Sequence, residues 1–130
     1  MKASSGRPEM RADIADDGVV LDVVFEAGVL YLELANLSSR PALNVACTFD
    51  PPLVDLEGRD VSELPLFRHV AFVGPDRRIR TLLDSIAGYF ARKAPTRVTV
   101  AVEFERPDGP RRTTTIAHDL EIFRGLAYLA

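Results

Sequence analysis

"NLSSRPALNVACTFDPP", Asn36 to Pro52, is the stretch on which the fold turns. Asn36 to Pro41 is a cluster of turn-forming residues. From Ala42 to Phe49 the character alternates, with Leu43, Val45, Cys47 and Phe49 on one side and Asn44, Ala46 and Thr48 on the other. Successive side chains of an extended chain point to opposite faces, so this period of two marks a half-buried strand. Asp50-Pro51-Pro52 then stops it, because proline has no N–H to give to a ladder. The stretch reads as turn, strand and stop. It also holds a sequon, Asn36-Leu37-Ser38, and the chain's single cysteine, Cys47.

The same period extends upstream. Gly18 to Leu37, "GVVLDVVFEAGVLYLELANL", is long enough to span a bilayer but contains Asp22, Glu26 and Glu33. An acid at mid-membrane costs roughly 2.5–3.5 kcal/mol, which leucines at about −0.5 do not comfortably offset for three acids. Val19, Leu21, Val23 and Phe25 alternate with Asp22 and Glu26, and Leu30, Leu32 and Leu34 alternate with Tyr31 and Glu33. Two strands joined at Ala27-Gly28 are expected, with no membrane insertion.

Downstream, residues 53–65 read as a loop. A helical turn over Ser62 to Leu66 is limited by Pro65. "LFRHVAFV" is a short apolar strand candidate, and Gly74-Pro75-Asp76 is a turn. Arg78 to Leu83 alternates again, placing Arg78 and Arg80 on one outward face. Asp84 is positioned to cap a short helix through Ser85 to Lys93, although Gly88 weakens it. The clearest hairpin is "RVTVAVEFE", then "RPDGP", then "RRTTTIAHDLEIF". Asp108-Gly109 supplies its positive φ. Thr114, Ile116, His118, Leu120 and Ile122 are expected on the inner face of the returning strand.

A chain of 130 residues with 47% hydrophobic and 27% charged content fits one domain with a real core. Seven or eight short strands, at most one short helix, and no sustained 3.6-residue period specify an all-β antiparallel sandwich. Its expected span is residues 18–123. Residues 1–17 read as a mobile tail and residues 124–130 as an apolar extension. The formal net charge of −3 argues against nucleic-acid binding. The first residues lack the apolar core of a secretory signal, so a cytoplasmic location is expected.

Taken together, "LYLELANLSSRPALNVACTFDPP", the turn in "FVGPDRRIR" and the last hairpin "VAVEFERPDGPRRTTTI" resemble the immunoglobulin-like sandwich domains of bacterial proteins. The similarity is to the cell-adhesion-related and fibronectin-like groups, over about residues 19–123. Ser38 replaces a family glycine, Gly74-Pro75-Asp76 replaces a Pro-Gly-Glu-type turn, and there is neither a tryptophan nor a cysteine pair. The resemblance implies an interaction or spacer module and brings no catalytic residues.

Cys47 falls inward by phase and reads as a small core thiol rather than a nucleophile. Asn36 reads as a turn residue bonding its own backbone rather than a glycan acceptor. His69 and His118 are too few for a metal pattern, and no serine sits in a Gly-x-Ser-x-Gly elbow. His118 is expected to be half-buried with one hydrogen bond. Asp13, Asp16 and Asp17, and Asp55, Glu57 and Asp60, lack the spacing of a calcium loop and read as solvated acids. No cofactor is expected.

What remains are contact features. Arg78 and Arg80 could meet an acidic partner, though arginines on an edge also discourage strand aggregation. Tyr89, Phe90, Leu126 and Tyr128 either form a contact surface or close the end of the domain. The expectation is a non-enzymatic module that binds another protein or self-associates. A small-ligand or carbohydrate-binding sandwich ranks second, limited by only three tyrosines, and a small hydrolase third.

Overall fold

The computed structural model describes residues 18–128, with side chains to residue 126. The expected tail at 1–17, its acids Asp13, Asp16 and Asp17, and the side chain of Tyr128 lie outside the described residues. Seven strands form two antiparallel sheets. They are β1 (Val19–Glu26), β2 (Val29–Asn36), β3 (Ala42–Asp50), β4 (Val70–Val73), β5 (Arg78–Ser85), β6 (Arg97–Glu105) and β7 (Arg111–Asp119). One sheet has the order β1-β2-β5 and the other β4-β3-β6-β7.

The alternation seen in the sequence buries one continuous core. Val19, Leu21, Leu30, Leu32, Leu34 and Leu83 come from the three-stranded sheet. Val45, Cys47, Phe49, Val98, Val100, Val102 and Phe104 come from the four-stranded sheet. Fully burying each such side chain contributes about 1.5–3 kcal/mol. Phe49 meets Phe67 edge-on, with ring centroids 5.2 Å apart.

The hairpin between β1 and β2 turns on Ala27 and Gly28, both at positive φ (53° and 80°). Two consecutive residues of that hand match the twist of the flanking strands. β3 ends at Asp50, where the prolines begin, and the Asp50–Pro51 bond is cis.

Asp108-Gly109 turns the last hairpin without a positive φ, and two short helices form where at most one was expected. Four other local expectations need correction. The first concerns Leu43, which is only half-buried while Ala42 is buried. Asn44 adopts φ 51°, and the pairing slips by one residue between Leu43 and Ala46, so a bulge turns Leu43 outward. Second, Pro65 starts a helix rather than limiting one. Pro65–Arg68 is helical with proline in its first turn, where its missing N–H has no partner to lose. The strand expected over "LFRHVAFV" therefore shrinks to Val70–Val73. A 3-10 turn, Val61–Glu63, precedes the helix, and a second helix spans Ile86–Ala91.

Third, Ser85 rather than Asp84 caps that second helix, accepting from the Gly88 N–H at 2.9 Å. Gly88 fits for the same reason. A Cβ there would meet Ser85 Oγ at 2.8 Å and Asp84 Oδ1 at 3.0 Å. Fourth, Ile122 is 69% exposed. The chain leaves the β period at Asp119, whose carboxylate accepts from the Glu121 N–H, and continues as a 3-10 segment, Leu120–Tyr128. Leu120 stays buried while Ile122 turns out.

Candidate functional site

Asn36 closes one end of the molecule. It is buried, and its Oδ1 accepts from the Ser38 N–H at 3.1 Å and the Ser38 hydroxyl at 2.7 Å. Its Nδ2 reaches the carbonyl oxygens of Arg40 (2.7 Å), Val73 (3.1 Å) and Gly74 (3.2 Å). The last two lie at and just beyond the end of β4, so one amide pins β2 of the first sheet to β4 of the second. The Asn36 nitrogen is engaged inside the protein, which leaves the sequon no exposed amide to modify. The expected turn bond to the next residues is present, and the sheet-to-sheet pin is additional.

Arg78 and Arg80 lie on β5, an edge strand, with Arg80 opposite Glu33 and Arg78 opposite Ala35 on β2. Glu33 is only 5% exposed, although it points away from the core. Arg80 Nε and Nη2 donate to Glu33 Oε1 at 3.1 and 3.0 Å, and Arg78 Nη1 donates to Oε2 at 3.1 Å. Arg80 also donates to Glu26 at 2.6 Å, and its guanidinium stands 4.8 Å from the Tyr31 ring centre. Burial by itself would raise the Glu33 carboxyl. The hydrogen bonds and charges of Arg80 and Arg78 outweigh it, and Glu33 is held below its ordinary range. Both arginines are thus committed to a network within the chain.

Tyr89, offered above as a contact residue, is buried instead. Its hydroxyl donates to the Pro95 carbonyl, and burial pushes its pKa up to about 12. The helix Ile86–Ala91 presents Ile86 and Tyr89 to the core, three residues apart on one helical face. Its ring is therefore closed to any partner. Phe90 is half-buried, meets Tyr89 edge-on, and lies under the Arg124 guanidinium at 4.4 Å. Phe25, Phe123 and Leu126 pack against the same core, with Phe25 and Phe123 centroids 6.1 Å apart. Of the two alternatives for this end, Phe90 and Leu126 follow the closing one.

Several other titratable groups have local employment. Burial pushes the Cys47 thiol up to about 12, leaving it a core side chain. Asp55 is buried too. Burial would raise it, but the N–H groups of Arg59 and Glu57 and the Arg59 guanidinium together lower it. Asp60 accepts from Ser62 N and Oγ. His69 bonds Asn44 Oδ1 at 2.9 Å, and His118 bonds the Leu21 carbonyl at 2.8 Å, so the histidines serve different strands. Among the described residues, no three His, Cys, Asp or Glu side chains gather as metal ligands.

The four-stranded sheet has a different exterior. Its outward positions run Ala46 and Thr48 on β3, Thr99, Ala101 and Glu103 on β6, and Thr113, Thr115 and Ala117 on β7. Phe72 on β4, opposite the outward Leu43, borders this surface and is 59% exposed. A shallow depression of about 310 Å³ lies at the open end of the last hairpin, lined by Arg97, Val98, Thr99, Ala117, His118 and Asp119. Sequence phase located the small residues of this face. It missed Phe72, because Leu43, its neighbour across the β3–β4 pair, reads as inward by phase and turns outward only at the bulge. The unusual φ of a lone asparagine leaves no pattern in a single sequence.

A family model described as "Domain of unknown function (DUF8453)" matches residues 1–124. No curated protein and no solved structure matches the chain. No helix among the described residues is long and apolar enough to cross a membrane.

Proposed function

The chain belongs to this family of unknown function, and from that premise we propose that it is a non-enzymatic module that binds another protein or a copy of itself. The observation that carries the reading is the outer surface of the four-stranded sheet. Its middle is a run of small threonine and alanine side chains, bordered by the exposed Phe72 and by Glu103 with its partner Arg111. Small side chains leave a flat surface that another protein can approach closely, and an exposed aromatic is a common anchor at interfaces. The opposite sheet is unlike this, because the centre of its outward face is a buried acid, Glu33, matched to Arg78 and Arg80.

The finer fold reading belongs with this proposal. The first, second and fifth strands share one sheet and the third, sixth and seventh the other, which is the division of strands in immunoglobulin-like sandwiches. The fourth strand joins the third here, a variation in keeping with the fibronectin-like resemblance. Fold of this kind supports a module but does not by itself name its partner.

Two measurements test the reading on the full chain. Molar mass in solution across a concentration series should show self-association, or immobilised chain should retain a protein that the Phe72→Ser variant retains less. A strict monomer that captures nothing overturns it. Hydrolase activity abolished by His118→Ala would likewise overturn the non-enzymatic part.

A further inference from the structure

Two sheets have four edge strands, and an edge with unpaired backbone groups invites another strand. Three of the four are blunted. β4 is four residues long. On β5, the Leu83 carbonyl accepts from the Leu56 N–H at 2.9 Å, and Arg78 and Arg80 line the strand. On β1, the Leu21 carbonyl accepts from His118 at 2.8 Å, and the Val23 N–H is turned to Asp22 Oδ1 at 2.8 Å. β7 differs. It is nine residues long, unbroken by glycine or proline, and paired with β6 along its whole length. Among the described residues no hydrogen bond reaches the backbone of its far edge. Its middle, Thr113 to Ala117, carries no charge.

The ends of β7 are charged with opposite sign, and that selects an occupant. Resting on the reading just given, we propose that β7 pairs antiparallel with β7 of a second copy about a two-fold axis at Thr115. Each Arg111 then stands opposite Asp119 of the second copy, Thr113 opposite Ala117, and Thr115 opposite itself. Within one copy Arg111 is opposite Glu105, and Asp119 is opposite Arg97. Across the joined sheets the row reads Glu105, Arg111, Asp119 of the second copy, Arg97 of the second copy. Its signs alternate throughout, and cross-strand pairs of opposite charge stabilise a sheet where like pairs oppose it.

The register is specific. A residue and its symmetry mate must lie on the same face, so the axis moves in whole-residue steps. Placing it at Thr114 sets Arg111 against Ala117, and placing it at Ile116 sets Asp119 against Thr113. Either shift loses both charge pairs. The result is an eight-stranded sheet across two copies, with the small-residue surface continuous over the junction. Main-chain bonds along one edge supply attraction, and the terminal charges fix direction and register.

The test uses sedimentation or light scattering on the full chain, with thermal melts confirming that each variant is folded. Wild type should exchange between monomer and dimer as concentration rises. Thr115→Lys, which places two ammonium groups face to face on the axis, should be monomeric. So should Asp119→Arg and Arg111→Asp separately. Mixing those two folded monomers should restore a heterodimer, because each then supplies the charge the other lacks. That rescue is independent of what Arg111 does for its own copy, where it also binds Glu103, Glu105 and the Asn44 carbonyl.

A wild-type dimer that ignores Thr115→Lys and both charge reversals overturns the β7 pairing while leaving self-association through another surface. Folded, monomeric variants that do not combine overturn the register and the proposal with it. A wild-type monomer that still retains a protein partner overturns the pairing and keeps the broader reading. A monomer that retains nothing overturns both.

Discussion

The two sheets face solvent in opposite ways. The three-stranded sheet turns outward a carboxylate, Glu33, that is almost wholly covered by its own neighbours, Arg78 and Arg80. The four-stranded sheet turns outward threonines and alanines at its centre, with Phe72 at one border and the charges of Glu103, Glu105, Arg111, Arg97 and Asp119 toward the ends of β6 and β7. On the first, Glu26, Glu33, Arg78 and Arg80 already meet counter-charges within the chain, so that part of the surface has little left to offer another molecule. On the second, small side chains end at β7, a long edge that no hydrogen bond from another described residue covers. The difference teaches that exposed arginines in a strand are a poor marker of an interface when a buried acid on the neighbouring strand holds them, as Glu33 holds Arg78 and Arg80.

This contrast can be broken by substitution, beginning at the corner where the sheets are joined. Asn36→Ala removes the pin and takes a donor from the carbonyls of Arg40, Val73 and Gly74, of which Gly74 keeps the Arg77 N–H at 3.2 Å. With each buried unmet group costing about 1–3 kcal/mol, a loss of about 3 kcal/mol is expected. The urea unfolding midpoint measures it, and a loss below about 1 kcal/mol would show that water replaces the amide without cost.

On the closed sheet, Glu33→Gln keeps the shape but removes the charge that the arginines bind. The expected cost at neutral pH is about 1 kcal/mol, reduced by the exposure of both arginines to water. Acid behaviour is the sharper test. The folded Glu33 carboxyl lies below its ordinary value of 4.5, so its contribution is complete above that pH. It is lost as pH falls through the folded value. Wild type should therefore lose more stability between pH 7 and pH 3 than Glu33→Gln. Equal losses would remove Glu33 from the acid limb.

The hairpin at the far end of the closed sheet allows an effect of the opposite sign. Ala27 holds φ 53°, a conformation that asparagine tolerates better than alanine. Ala27→Asn should raise stability by about 0.5 kcal/mol, seen as a higher melting temperature. Smallest of all is the open edge. Thr115 is exposed and outward, so Thr115→Lys should leave the dilute monomer within about 0.5 kcal/mol of wild type. A large loss there would mean that β7 supports the fold of the single chain.

Much of this architecture was legible from period and punctuation alone. Val19 to Phe25, Leu30 to Leu34 and Val98 to Phe104 announced their buried faces because strand side chains alternate without regard to distant structure. The prolines after Asp50 and the Ala27-Gly28 pair marked boundaries for reasons carried by those residues themselves. Less was legible where the geometry departs from the period. The bulge at Asn44 reversed Leu43, the 3-10 turn after Asp119 reversed Ile122, and Pro65 opened a helix in place of stopping one. At each of these points several backbone paths are locally acceptable, and packing against Phe67, Leu120 and their neighbours selects among them.

The candidate surface divides in the same way. Sequence placed Arg78, Arg80, Phe90 and Leu126 together as features without employment, since a single chain read in order does not show what lies on the adjacent strand. Pairing set Glu33 beside the arginines, and the closing of one end put Tyr89 in the core with Phe90 and Leu126 against it. What the sequence determined by itself was the local part: seven or eight extended segments, where most of them turn, and which side of most of them avoids water. Those depend on residues one to four positions apart. Which charges meet, which aromatic is hidden and which of four edges stays open were decided only in three dimensions. These depend on contacts between residues as far apart as Asn36 and Gly74, or Leu21 and His118.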